Sequence, residues 1–200
     1  MKEVREYTVQ TFDEFSAEDQ KKILDNYRNI NTEDMDITTW DEYWVIGLRV
    51  RGFNVEAVDI DYDVSYCQGS GASFRCDSMD VGKLLADLDI KHKKFWIDYL
   101  KHYNIKIKDN NCRYCHAYSK VIDVDDDCRA EWYICEKDHP HAIKDYERIK
   151  EHIEQKRLDA CKWLYKGICD EYDDLESDAA VRDTIEANEY MFDTRTLRIA

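Results

Sequence analysis

Proline occurs once and glycine six times in 200 residues, which leaves no room for long flexible or low-complexity linkers. No run of about 18 apolar residues occurs, so the chain offers no membrane-spanning helix. Basic charge is in deficit as well. Lys and Arg number 29 against 44 Asp and Glu, for a formal net charge of −15. A surface of that sign repels nucleic acid and anionic lipid and attracts basic protein surfaces over about a Debye length. Nucleotide-binding and acyl-transfer signatures are missing too. The chain has no phosphate loop of the form Gly-x-x-x-x-Gly-Lys-Ser/Thr, no Gly-x-Ser-x-Gly elbow and no Gly-x-Gly-x-x-Gly after a strand.

What is present argues for a folded body. Hydrophobic residues make up 44 % of the chain and aromatics 12 %, with five Trp and fourteen Tyr, whereas acidic disordered segments are poor in both. Length and composition suit a single α+β domain over 1–200. The opening Met1-Lys2-Glu3-Val4-Arg5-Glu6 is charged and lacks the apolar centre of a secretory signal, which makes a cytoplasmic location the expectation. In that compartment the eight cysteines read as thiols or metal ligands before they read as disulfides.

Periodicity places the elements. Residues 3–10 alternate as an opening strand. Ser16, with Asp19 three residues on, caps a helix over about 17–30. A second helix covers 38–49 through Trp40, Tyr43, Trp44, Ile46 and Leu48, and Gly52 closes it. Residues 53–62 read as a half-buried strand with a change of register near Ala57. Tyr66–Phe74 forms two short strands around Gly69-Ser70-Gly71, and helices follow at 79–88 and 91–103. From 105 to 138 the pattern changes to strands and turns: Ile105 with Ile107, then Tyr118–Val124, then Ala130–Cys135. A long helix spans about 141–173, and Ser177 caps a last one at 178–188. Tyr190–Phe192 and Leu197–Ile199 return as edge strands. The expected fold is an antiparallel sheet covered by helices, with one long C-terminal helix and a Cys-rich hairpin insertion at 105–140.

Three constellations stand out. Cys112-x-x-Cys115-His116, followed by Cys128, Cys135, His139 and His141, offers tetrahedral zinc the set Cys112, Cys115, Cys135 and His139. The return half is irregular, since Cys128 and Cys135 are not spaced as a second Cys-x-x-Cys; the plain alternative is reduced thiols lining a hairpin. Asp59-x-Asp61-x-Asp63 imitates the start of a calcium loop but has Val64 where that loop needs Gly and Ser70 where it needs Glu. The third is acidic: Asp123, Asp125, Asp126 and Asp127, then Asp170, Glu171, Asp173, Asp174 and Glu176. Such runs are either solvated turns and helix ends or carboxylates presented, phosphate-like, to Lys and Arg of a basic partner.

Three stretches together carry a resemblance. They are Tyr7-Thr8-Val9-Gln10-Thr11-Phe12-Asp13-Glu14-Phe15-Ser16-Ala17-Glu18-Asp19-Gln20-Lys21-Lys22, the turn Ser65-Tyr66-Cys67-Gln68-Gly69, and Asp183-Thr184-Ile185-Glu186-Ala187-Asn188-Glu189-Tyr190-Met191-Phe192. In that order they resemble a group of small phage and prophage proteins loosely labelled as antitoxins of toxin–antitoxin stability systems. The resemblance implies an accessory protein in a bacterial cytoplasm and carries no catalytic residues. With the charge, it leads to the expectation of a stoichiometric inhibitor of a basic host protein, such as a toxin or a nucleic-acid-targeting defence effector of the CRISPR kind. That partner is expected to be engaged without direct nucleic acid or membrane contact, by a monomer or homodimer. The competing expectations are a metal-dependent enzyme built on the 112–141 cluster, or a zinc-stabilised phage structural or regulatory module.

Overall fold

A computed structural model describes residues 8–33, 41–65, 67–102, 104–124 and 140–200. The chain divides into two compact units, Met1–Met35 with Cys169–Ala200, and Asp36–Ile168. Helix and strand are mixed in it. Every described strand pairing is antiparallel, but the pairings form four separate two-stranded sheets, not one continuous sheet.

The first unit is built from strand β1 (Val9–Thr11), helix α1 (Ala17–Asn26), the last residues of the long helix α5 (Pro140–Leu175), helix α6 (Asp178–Ala187) and strand β8 (Met191–Asp193). Both expected caps form. The Ser16 hydroxyl accepts the Asp19 N–H at 3.2 Å, and the Ser177 hydroxyl accepts the Ala180 N–H at 3.2 Å. Each satisfies an amide that the helix start would otherwise leave unpaired. β1 pairs with β8, Gln10 opposite Phe192. Phe12, Phe15, Ile23, Val181, Ile185 and Phe192 form one buried cluster, with Leu24, Tyr27, Tyr190 and Leu197 packed against it. At about 1.5–3 kcal/mol for each large apolar side chain taken from water, this cluster is what holds the two chain ends together. The expected opening strand lies partly outside the described residues.

The second unit contains helix α2 (Asp41–Val50), strands β2 (Phe53–Asn54), β3 (Ile60–Asp63), β4 (Gly71–Phe74) and β5 (Ser78–Met79), helices α3 (Val81–Leu84) and α4 (Lys93–His102), strands β6 (Lys106–Asp109) and β7 (Lys120–Asp123), and most of α5. Gly52, at φ +99°, ends α2 in a conformation that a side chain would strain. The change of register expected near Ala57 is a 3₁₀ turn at Ala57–Asp59, which splits the 53–62 run into β2 and β3. β3 and β4 form a hairpin, Asp63 opposite Gly71, and β6 pairs with β7. Only Val81–Leu84 of the expected 79–88 helix forms, because Ser78 and Met79 are drawn into pairing with β2. The expected strand at Ala130–Cys135 lies outside the described residues, as do residues 125–139 of the Cys-rich hairpin as a whole.

Helix α5 is the spine of this unit. Ile149, Ile153, Cys161, Leu164 and Ile168 lie buried along it at the three- and four-residue spacing of a single stripe. Trp96 of α4 stacks on Tyr146 at 5.9 Å. Against α2 the fit is reciprocal. A Cβ on Gly47 would fall within the Trp163 ring, and one on Gly167 within the Trp44 ring. Each helix thus supplies an indole and the notch for the other's indole, and the two rings meet edge to face at 5.3 Å.

Two buried cations complete the unit. Arg157 sits on the apolar stripe of α5, 1 % exposed; it grips Glu154 through Nε at 2.8 Å and donates from Nη1 to the Ala117 carbonyl at 2.6 Å. Lys120 of β7 is 4 % exposed and its ammonium lies between the carboxylates of Asp61 and Asp109. A buried ammonium needs such partners, since withdrawing it from water alone costs several kcal/mol.

Candidate functional site

The acidic residues separate into two settings. Asp123 lies on β7 with Lys108 at 2.9 Å and Lys106 at 4.0 Å, so its charge is compensated within the fold. Asp125, Asp126 and Asp127 lie outside the described residues. The second group stands at the end of α5. Asp170, Glu171, Asp173 and Asp174 are exposed in its last turns, where the unpaired carbonyls give a helix its negative pole. No basic residue occupies the last turn. Carboxylates here oppose the helix dipole and one another, which helices ordinarily avoid.

The carbonyls beside them are tied down from α1 and the turn after it. Asn31 donates to the Leu175 carbonyl at 2.9 Å, and Arg28 donates to that of Glu176 at 2.8 Å. Arg28 also pairs with Asp25 and Asp178, each at 2.7 Å, and these carboxylates hold its guanidinium further above its ordinary range. The Glu176 carboxylate accepts the Thr32 hydroxyl at 3.0 Å, so this member of the acidic set serves the helix end itself. Asp170, Glu171, Asp173 and Asp174 project their charge from a capped, positioned helix terminus.

A second region of interest lies in the other unit, where the β3–β4 turn meets the 112–118 segment. Two glycines permit the approach. A Cβ on Gly69 would lie 2.5 Å from the Tyr114 ring, and one on Gly71 2.6 Å from the His116 Cα. Beneath them the hydroxyls of Ser73 and Ser119, both buried, meet at 3.2 Å. Cys112 and Cys115 are half-buried, and both are free thiols. Burial raises the Cys115 thiol, with the negative charges of Asp61 and Asp63 adding to it. The His116 Nδ1 is buried with no hydrogen-bond partner. Cys135 and His139, the other half of the expected zinc set, lie outside the described residues. Among the described residues, no group of three or more His, Cys, Asp and Glu is placed to hold a metal ion.

One thiol in this region went unnoticed in the sequence as a chemical group. Cys67 is exposed, and its sulfur accepts from the Ser65 hydroxyl at 3.3 Å, the Gly69 N–H at 3.4 Å and the Ser70 hydroxyl at 3.6 Å. These donors, the Ser65 hydroxyl first, pull its pKa below the ordinary thiol value. Cys76 and Cys161 go the other way, pushed by burial to about 11. The signal in the sequence was a cysteine flanked by Ser65 and Ser70, hydroxyls that a tight turn folds back on the sulfur. The three acids of the calcium-like run are engaged elsewhere: Asp59 faces Arg75 at 3.9 Å, Asp61 pairs with Lys120, and Asp63 accepts the Ser65 N–H at 2.8 Å.

A family model described as Domain of unknown function (DUF8835) matches residues 32–178, well over half of the chain. The match takes in the second unit and the acidic end of α5. It leaves out residues 7–22 and 183–192, two of the three stretches that resemble the phage group. No curated protein and no solved structure matches the chain.

Proposed function

For a chain that belongs to the DUF8835 family, a domain of unknown function, we propose the role of an acidic accessory protein that binds and blocks a basic protein one to one. The observation that carries this reading is the crowding of Asp170, Glu171, Asp173 and Asp174 at the negative pole of α5 with no basic residue in the last turn. Each such charge costs helix stability by a few tenths to 1 kcal/mol, a cost that a binding role for the exposed cluster would offset. Arranged on a rigid helix end, they match guanidinium and ammonium groups of the kind that bind phosphates. The partner class is therefore a basic toxin or nucleic-acid-targeting effector, as the resemblance to phage proteins also implies, with the interaction in a bacterial cytoplasm. The described residues include no helix long and apolar enough to cross a membrane, and the proposed role needs none.

The test is the double variant Glu171→Lys with Asp174→Lys, compared with the native chain in capture from host lysate at low and high salt. The native chain should retain a basic protein at low salt and release it at high salt, as a contact between exposed charges requires. The variant should lose it, while its thermal midpoint stays level or rises because lysines suit a helix C-terminus. Binding and stability moving in opposite directions would exclude misfolding as the cause. Capture that is unchanged in the variant, or only of neutral and acidic proteins, would refute the reading.

The buried, unpartnered His116 Nδ1, next in the chain to the free thiol of Cys115, supports a second reading, a structural zinc held by Cys112, Cys115, Cys135 and His139. Metal analysis of protein purified without chelators decides it. About one zinc per chain, lost in Cys112→Ser, is expected; substoichiometric zinc refutes it and removes the metalloenzyme alternative as well.

A further inference from the structure

Helix α2 has two unlike sides. Trp44, Val45 and Leu48 are buried, while Tyr43, Ile46 and Val50 are 67 %, 54 % and 68 % exposed. Positions i, i+3 and i+7 fall within about 60° of arc on a helix of 3.6 residues per turn. Single exposed apolar residues are ordinary; a continuous stripe of three along one short helix marks a contact surface. Charge is ordered along the same helix. Exposed Glu42 stands at its amino end, and exposed Arg49 and Arg51 stand at its carboxyl end. Arg49, seven residues after Glu42, lies on the same flank of the stripe.

From this pattern we infer that α2 is the seat of a homodimer, packed antiparallel on α2 of a second copy about a two-fold axis beside Ile46. That operator sets Ile46 against its own equivalent and Tyr43 against the Arg49–Val50 end of the other copy, closing the apolar stripe on itself. It also brings each Glu42 to the arginine end of the opposing helix, where a parallel pairing would set like charge on like. Arg49 donates to the Val55 carbonyl from Nε at 3.2 Å and Nη2 at 3.0 Å, which fixes the guanidinium beside the stripe without removing its charge. The same arginines repel the basic partner proposed for the end of α5, so this stripe and that acidic group serve different occupants. The inference does not depend on that partner.

Sedimentation equilibrium of the full chain, up to roughly 200 µM and near physiological salt, tests it in the range where a modest helix–helix contact associates. The expected result is a reversible monomer–dimer equilibrium. Ile46→Glu and Val50→Glu should each hold the chain monomeric with an unchanged circular dichroism spectrum, since neither native side chain is buried. Glu42→Lys, which sets like charges at both ends of the seam, should weaken dimerisation roughly tenfold. A native chain that is monomeric throughout, a dimer indifferent to all three substitutions, or assembly beyond a dimer would each overturn the inference.

Discussion

Replacing Lys120 by Met keeps an unbranched side chain, one atom shorter, and removes the ammonium group, which tests what that buried cation contributes. Two contacts at ordinary ion-pair separation are each worth roughly 5 kcal/mol at an effective dielectric near 20. Against them stand the several kcal/mol lost in withdrawing the ammonium from water and the screening of two carboxylates, Asp61 and Asp109, that are 39 % and 52 % exposed. Because those carboxylates rehydrate when the ammonium goes, Lys120→Met should cost about 2 kcal/mol at neutral pH, less than the 3–5 kcal/mol of a wholly buried pair. The cost must also depend on pH. Hydrogen bonding to Lys120 holds the Asp109 carboxyl below its ordinary value, so its contribution is full above the unfolded carboxylate range and is lost as pH falls through the folded value. Burial opposes the charge on Lys120, but its two carboxylates outweigh burial and raise its pKa; this contribution persists from neutral pH up to the unfolded lysine value and is lost as pH rises through the folded one. Urea unfolding followed by tryptophan fluorescence, with Trp44, Trp96 and Trp163 all in this unit, measures both quantities. The native–variant difference should be full near pH 7 and shrink only as pH falls below the unfolded carboxylate value of about 4 and through the lower folded value of Asp109. A cost under about 0.5 kcal/mol at neutral pH, or one that does not change with acidification, would refute this account.

Gly47→Ala should destabilise the chain by about 1–3 kcal/mol, because the new methyl meets the Trp163 ring and overpacking forces neighbours off their rotamers; unchanged urea unfolding would mean that the indole is not seated in the notch. Alkylation with iodoacetamide at neutral pH, read by peptide mass mapping, should label Cys67 well before Cys76 and Cys161, whose thiols are buried and raised to about 11. The double change Ser65→Ala and Ser70→Ala should slow that labelling by restoring the thiol towards its ordinary pKa, and a rate indifferent to both hydroxyls would rule out the proposed activation.

Local chemistry made much of this architecture legible. Ser16 and Ser177 announced their helices because a hydroxyl one step before an amphipathic run has few other uses, and the stripe through Ile149, Ile153, Cys161, Leu164 and Ile168 carried the long helix almost to its ends. The break near Ala57 showed in the pattern because alternation slipped by one residue there. What the sequence could not convey was long-range partnership. Arg157 occupies a core position on α5 that hydrophobic periodicity assigns to an apolar residue, and its carbonyl partner at Ala117 is 40 residues away in the chain. Met79 leaves the helix expected over 79–88 and joins Ser78 in a strand because Phe53 and Asn54 offer pairing, and no local propensity encodes that offer. Of the acidic candidates, Asp123 proved to be matched by lysines on the neighbouring strand, whereas the run at 170–174, legible in the sequence as an acidic helix end, is exposed in the last turns of α5.

The paired indole notches of α2 and α5 restrict how this seam can change over generations. Bulk added at position 47 or 167 must be matched by bulk removed at 163 or 44, so a single step in either helix meets a barrier that a double step avoids. Drift at these four sites should therefore come in coupled pairs.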